Sequence, residues 1–145
     1  MTNRRRAAFA GTAVVLGALA LTGCEKPTPL VTVVSGSDSI TVEAKCYNKT
    51  ITSENSTKCT PEKPKTFAVK PGSTFGIGVE GDVADKWQVL VGSRETSVIE
   101  DRTFFNGLPV PLDAFESEKE LQVRVIKLGG DGDIKGLWTV NLVKA

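Results

Sequence analysis

The chain has 145 residues, enough for one domain, and 24% charged and 40% hydrophobic residues are ordinary values for a globular protein. The net charge of +1 includes three arginines within the first 23 residues, and residues 24–145 carry 15 basic and 17 acidic side chains. There is no histidine, and there are only three cysteines. These counts exclude Ser-His-Asp and Cys-His triads and imidazole metal sites, and they disfavour a nucleic-acid surface. We therefore expect no enzyme, no metal, no cofactor and no nucleic-acid partner.

The amino terminus has the pattern of an export signal. A cationic segment, Asn3-Arg4-Arg5-Arg6, precedes an apolar stretch over residues 7–21. As a helix this stretch would be about 22 Å long, which is shorter than the roughly 30 Å hydrocarbon core of a bilayer. We predict a cleaved signal peptide over residues 1–23. The arginine run leaves the general secretory and twin-arginine export routes both open.

The signal ends in Leu21-Thr22-Gly23-Cys24, which resembles the lipobox of bacterial lipoproteins. The resemblance implies cleavage before Cys24 and attachment of a diacylglyceryl group to its sulfur. Two acyl chains make a stable anchor, whereas one chain gives only reversible attachment. We therefore expect membrane lipid as a partner through Cys24, and a location on the extracytoplasmic face of the cell membrane.

A short tether follows the lipid attachment point. Pro27 and Pro29 occupy alternate positions, which keeps such a segment extended and out of any helix. We assign residues 24–29 to this tether and residues 30–145 to the folded domain. At about 3 Å per residue, the tether would hold the domain within roughly 15 to 20 Å of the membrane.

The domain shows the period-2 alternation of half-buried strands. Residues 30–34 and the segment around 103–105 add to this series, and residues 113–119 offer only a helical turn or two, capped by Asp113. We predict an all-β fold, an immunoglobulin-like antiparallel β-sandwich of seven to eight strands, with a small barrel as the alternative. The predicted inward-facing residues are Ile40, Val42, Ala44, Cys46, Phe67, Val69, Phe75, Ile77, Val79, Trp87, Val89, Val91, Leu121, Val123, Val125, Trp138, Val140 and Leu142.

Cys46 and Cys59 remain after lipidation of Cys24. Outside the cytoplasm such a pair predicts a disulfide, and the spacing differs from the C-x-x-C of redox-active dithiols. The bridge would close a loop rich in Asn, Thr, Ser and Lys.

Three further patterns have a structural and a functional interpretation. Asp131-Gly132-Asp133 begins like a calcium loop, but the ligands that should follow are missing, which favours a hairpin turn between the last two strands. Trp87 and Trp138 are in phase with the core. Adjacent aromatic residues cannot both face inward on a regular strand, so we place a candidate interaction surface at Phe104, Phe105 and Phe115.

Several spaced motifs resemble a family of small actinobacterial lipoproteins of unknown function: Cys24-Glu25-Lys26-Pro27-Thr28-Pro29, Ala44-Lys45-Cys46-Tyr47-Asn48, Val69-Lys70-Pro71-Gly72 and Gly136-Leu137-Trp138. The resemblance implies the fold and the location, and no activity. Residues 67–79 also resemble the chagasin-like protease inhibitors, although their inhibitory loop is absent between Glu80 and Trp87. We expect a non-catalytic binding module of the cell envelope with an unknown envelope protein or ligand as partner; the alternative is a chagasin-like protease inhibitor.

Overall fold

The domain consists mainly of β-strands joined by short connections. The structure, a computed structural model, describes residues 26–145. Their elements are β1 Leu30–Ser35, β2 Asp38–Glu43, β3 Cys46–Ile51, α1 Ser56–Cys59, β4 Lys65–Val69, β5 Thr74–Val79, α2 Gly81–Ala84, β6 Lys86–Val91, β7 Arg94–Glu95, β8 Ile99–Glu100, β9 Phe104–Pro109, β10 Glu120–Leu128 and β11 Ile134–Lys144.

These strands form two sheets. The four-stranded sheet has the order β2-β1-β5-β9, and the seven-stranded sheet has the order β3-β11-β10-β6-β7, with β4 also paired to β11 and β8 to β6. Every pair is antiparallel except β4 with β11. The predicted all-β, antiparallel β-sandwich is confirmed. Residues 26–145 do not form a closed barrel, because within this range no strand of one sheet pairs with a strand of the other.

The main core lies between the two sheets and contains the alternating residues that the sequence predicts, with one exception. Cys46 was predicted to face inward but packs against a second cluster on the outer face, because the chain changes sheets just before it. Trp87 and Trp138 are both almost fully buried, which confirms their assignment to the core. Each indole N–H is also hydrogen-bonded, as a buried tryptophan requires: Trp87 Nε1 donates to the carbonyl of Arg102 at 2.7 Å, and Trp138 Nε1 donates to the carbonyl of Pro29 at 2.8 Å. These two bonds connect the core to the segments that enter and leave the sheets.

A second, smaller cluster lies against the outer face of the seven-stranded sheet. It contains Ile126 and Leu137 from the sheet, together with Ile51 and Cys59 from the β3–β4 segment. The predicted disulfide between Cys46 and Cys59 is present, with the two Cα atoms 5.1 Å apart. The polar disulfide loop therefore covers apolar residues of the sheet and adds a partial third layer to the sandwich.

The strand count differs from the prediction of seven to eight, because the described residues form eleven strands. Two of them, β7 and β8, have only two residues each. The alternating stretch over residues 40–47 divides at Ala44 and Lys45, where the chain crosses from one sheet to the other. Residues 112–116 form hydrogen-bonded turns rather than a helix, with the Glu116 N–H donating to the carbonyl of Asp113.

The predicted signal peptide, the lipobox and Cys24 lie outside the described residues. Within residues 26–145, no helix is both long enough and apolar enough to cross a membrane.

Candidate binding site

The two sheets diverge on the side that carries β7, β8 and β9. After β6 the chain turns at Gly92, whose φ of +59° favours glycine, and β7 folds back along β6. Thr96 continues this pairing: its N–H donates to the carbonyl of Val89 at 2.9 Å, and its hydroxyl accepts the N–H of Val89 at 3.1 Å. β8 then pairs with the start of β6. Residues 94–100 thus form a broken edge strand.

The chain leaves this edge at Asp101 and crosses to the four-stranded sheet as β9. Asp101 has a φ of +51°, and its N–H donates to the carbonyl of Asp85 at 3.3 Å. Because β8 and β9 then belong to different sheets, a groove of about 480 Å³ opens between them. Its lining includes the apolar side chains of Val98, Phe105 and Leu108, and Val98 is 42% exposed.

A second groove, of about 910 Å³, adjoins the first. Its walls are the β6–β7 turn and part of the connection from β9 to β10, namely Pro111, Asp113, Ala114, Ser117 and Glu118. This connection is fixed at its start, since the N–H of Val110 donates to the carbonyl of Ser73 at 2.8 Å. The two grooves share Thr96, Leu108 and Pro109. We call them together the open-side groove.

Strand β9 borders the groove with an unpaired edge. Directly before β9, the carbonyl of Thr103 accepts the N–H of Val79 at 2.8 Å, and Phe104 then pairs with Gly78 of β5. In an antiparallel pair the next residue points its backbone groups away from the partner strand, so the N–H and C=O of Phe104 face outward. No strand among the described residues pairs with that side. Pro109, which has no N–H to offer, ends the strand, as is common at sheet edges.

The rim of the open-side groove carries charges of both signs. These are Arg94, Arg124, Glu95, Asp113 and Glu118 in the larger groove, and Glu100 and Arg102 in the smaller one. The floor is apolar, because Leu108 is buried and Val91 and Leu121 are partly buried against the core. An apolar floor with a polar rim is the usual anatomy of a protein-binding surface.

The structure separates the three aromatic residues of the predicted interaction surface. Phe104 is 47% exposed and lies over Gly76 on the outer face of its sheet. Phe105 is partly buried against the core and lines the open-side groove. Phe115 also packs against the core. Phe104 and Phe105 thus lie on opposite faces of β9, as expected for adjacent residues of a strand. Of the three aromatic residues, only Phe105 lines the groove.

Two other sequence patterns have structural roles. In the hairpin between β10 and β11, Gly132 has a φ of +81°, and Asp133 forms an ion pair of 2.7 Å with Lys135. That lysine holds the pKa of Asp133 below its ordinary value. The segment between Glu80 and Trp87 contains α2, whose Val83 is buried. Among residues 26–145, no three His, Cys, Asp or Glu side chains are grouped so that they could hold a metal ion.

The sequence did not point to the β7–β8 segment as one wall of a groove. Its only local signal is the apolar pair Val98-Ile99 between polar residues. The groove arises because residues 94–100 fold back on β6 while β9 joins the other sheet, and no local pattern encodes that divergence.

Comparison with known proteins gives no relative. No protein family matches the chain, and no curated protein is significantly similar to it. The resemblance to small actinobacterial lipoproteins therefore stays a prediction.

Proposed function

We propose that the protein is a lipid-anchored, non-catalytic binding module of the cell envelope, and that it binds an extended segment of an envelope protein in the open-side groove. The carrying observation is the divergence of the two sheets beside the unpaired edge of β9. Such an edge can accept an additional strand through backbone hydrogen bonds, while neighbouring pockets select side chains. The lipobox supports the anchor, because Leu21-Thr22-Gly23-Cys24 follows a cationic and then an apolar segment.

The position of the larger groove relative to Lys26 supports a partner outside the membrane. Val91 pairs with Val123 near the start of β10, whereas Lys127 at the other end of β10 pairs with Trp87. The larger groove therefore lies at the end of the sandwich where β6 finishes and β10 begins. Lys26, the first described residue, lies at the opposite end, beside Tyr47. The larger groove thus lies away from the proposed anchor.

Site-specific photo-crosslinking on intact cells tests this proposal. We expect a benzophenone side chain at exposed Ser97 or Arg94, which line the groove, to give the same discrete adduct. The control position is exposed Ser39 on β2, at the edge of the four-stranded sheet opposite β9, and it should not give this adduct.

A pair of substitutions makes the crosslinking test specific for the groove. Val98→Asp places a charge in the apolar lining and should decrease the adduct yield about tenfold, which corresponds to about 1.4 kcal/mol of lost binding. Leu112→Asp changes a residue that is 80% exposed and does not line the groove, and it should leave the yield unchanged. Equal adducts from Ser97 and Ser39, or equal effects of the two substitutions, would refute the proposal.

A further inference from the structure

The described part of the tether is bound to one end of the sandwich. Pro29 is buried, and its carbonyl accepts the Trp138 Nε1–H. Lys26 Nζ lies 2.5 Å from an Asp82 carboxylate oxygen, and the Leu30 N–H donates to a Glu80 carboxylate at 3.1 Å. The Asp82 carboxylate raises the pKa of Lys26 through this contact. Residues 26–30 are therefore held against the domain.

Several lysine side chains lie close to this part of the tether. A cavity of about 620 Å³ is lined by Lys26, Lys45 and Lys49, and no acidic residue lines it within the part of the chain that the structure describes. Lys127 adjoins the same place, because its Nζ lies 3.2 Å from the hydroxyl of Tyr47, another lining residue. We call Lys26, Lys45, Lys49 and Lys127 the tether-side lysines. Since Asp82 neutralises Lys26, the other three supply the net positive charge.

The charge distribution along the chain is equally uneven. Residues 45–65 contain five lysines and two glutamates, a net charge of +3. The rest of residues 24–145 contains 10 basic and 15 acidic side chains, a net charge of −5. A mildly acidic domain thus has a cationic segment, of which Lys45 and Lys49 lie beside the tether. Such a separation orients a protein at a charged surface, and the attraction acts within the Debye length of about 8 Å at physiological salt.

We propose that the tether-side lysines bind the headgroups of anionic phospholipids in the bilayer that holds the lipid of Cys24. This inference rests on the proposed anchor. Cys24 is two residues before Lys26, and two residues span at most about 7 Å, so an anchored Cys24 brings this end of the domain to the headgroups. Lysines at that distance are attracted to an anionic membrane surface. The docked domain would then present the larger groove away from the bilayer.

Lysine acylation in vesicles tests the inference. The mature lipidated protein is reconstituted in vesicles of phosphatidylcholine alone or of phosphatidylcholine mixed with phosphatidylglycerol, and the acylation rate of each lysine is measured by mass spectrometry. We expect Lys45 and Lys49 to react about fivefold more slowly in the anionic vesicles, the factor expected for the attraction of one lysine to such a surface. High salt should remove the difference.

The internal controls are the exposed Lys70, Lys119 and Lys144, which lie where β4 and β11 end and β10 begins, at the opposite end of the sandwich. Their rates should be equal in both vesicles. The double variant Lys45→Gln and Lys49→Gln should also remove the protection of Lys127, whereas Lys119→Gln with Lys144→Gln should preserve it.

Three results would overturn the inference in distinguishable ways. Equal rates for Lys45 and Lys49 in both vesicles, with the protein bound to both, would refute lipid binding while leaving the anchor intact. The same protection by inorganic phosphate in neutral vesicles would indicate a site for a soluble anion instead. Failure of the protein to sediment with either vesicle would refute the anchor itself, and the inference with it.

Discussion

Replacement of both Cys46 and Cys59 by alanine is expected to lower the free energy of unfolding by about 4 kcal/mol. The bridge closes a loop of 14 residues, and the loss of this constraint on the unfolded chain accounts for about 3 kcal/mol. The remainder, about 1 kcal/mol, is lost packing, since Cys59 is only 4% exposed and contacts the cluster on the outer face of the seven-stranded sheet. This is a large part of the 5 to 15 kcal/mol typical of a domain.

Urea denaturation of the oxidised protein, the reduced protein and the double alanine variant separates the two contributions. The reduced protein keeps both sulfur atoms, so it should lose only the contribution of the closed loop. The alanine variant should be less stable than the reduced protein. If reduction does not change the unfolding midpoint, the bridge does not stabilise the domain in the way described here.

Gly136→Ala is expected to destabilise the domain by about 1 to 3 kcal/mol, because it overpacks a rigid site. A Cβ atom at this position would lie 2.7 Å from Trp138 Cη2 and 3.1 Å from Tyr47 Cδ2. Trp138 cannot move easily, since its ring is 1% exposed and its Nε1–H is bonded to Pro29. The same substitution should therefore also loosen the bound tether.

Gly76→Ala is the matched control for this substitution. A Cβ atom there would lie equally close, 2.7 Å, to Cζ of Phe104. That ring is 47% exposed and can turn toward solvent, so the cost should be clearly smaller. The unfolding midpoints of the two variants in urea measure this difference in stability. A Gly136→Ala variant that is as stable as Gly76→Ala would show that Trp138 is not held as we describe.

The layers of the fold could be predicted because alternation is a local property. Phe75, Ile77 and Val79 are buried as expected, and so are Trp138 and Leu142. Each strand carries enough information to say which residues face inward, because successive side chains point to opposite faces. The disulfide was predictable from the number of cysteines and the expected compartment.

The partners of each strand were not predictable in the same way. The alternation of residues 40–47 is continuous, yet the chain changes sheets within it. The parallel pairing of β4 with β11 brings together residues that are far apart in sequence, as in Phe67 with Leu142. One sequence signal of the outer cluster was present. Ile126 directly follows the inward-facing Val125, and Leu137 directly precedes the inward-facing Trp138. Consecutive apolar residues of this kind are typical of a strand buried on both faces.

The candidate site depended on such long-range pairing. Phe105 and Asp113 were recognisable as features of interest, but the groove they line exists because residues 94–100 return along β6. The bound tether is a similar case. Two prolines predict an extended segment, but they do not reveal that Pro29 meets Trp138, which is 109 residues further along the chain.

We propose that Cys24 carries the lipid that holds this domain on the membrane. The most direct test is the mass of the amino-terminal peptide of the protein extracted from cell membranes. We expect a chain that begins at Cys24 and carries a diacylglyceryl group. A Cys24→Ala variant should lack this mass and leave the membrane fraction while it folds with Cys46 and Cys59 paired. A membrane-bound chain that begins elsewhere, or one with an unmodified Cys24 thiol, would contradict the proposed lipid anchor at Cys24.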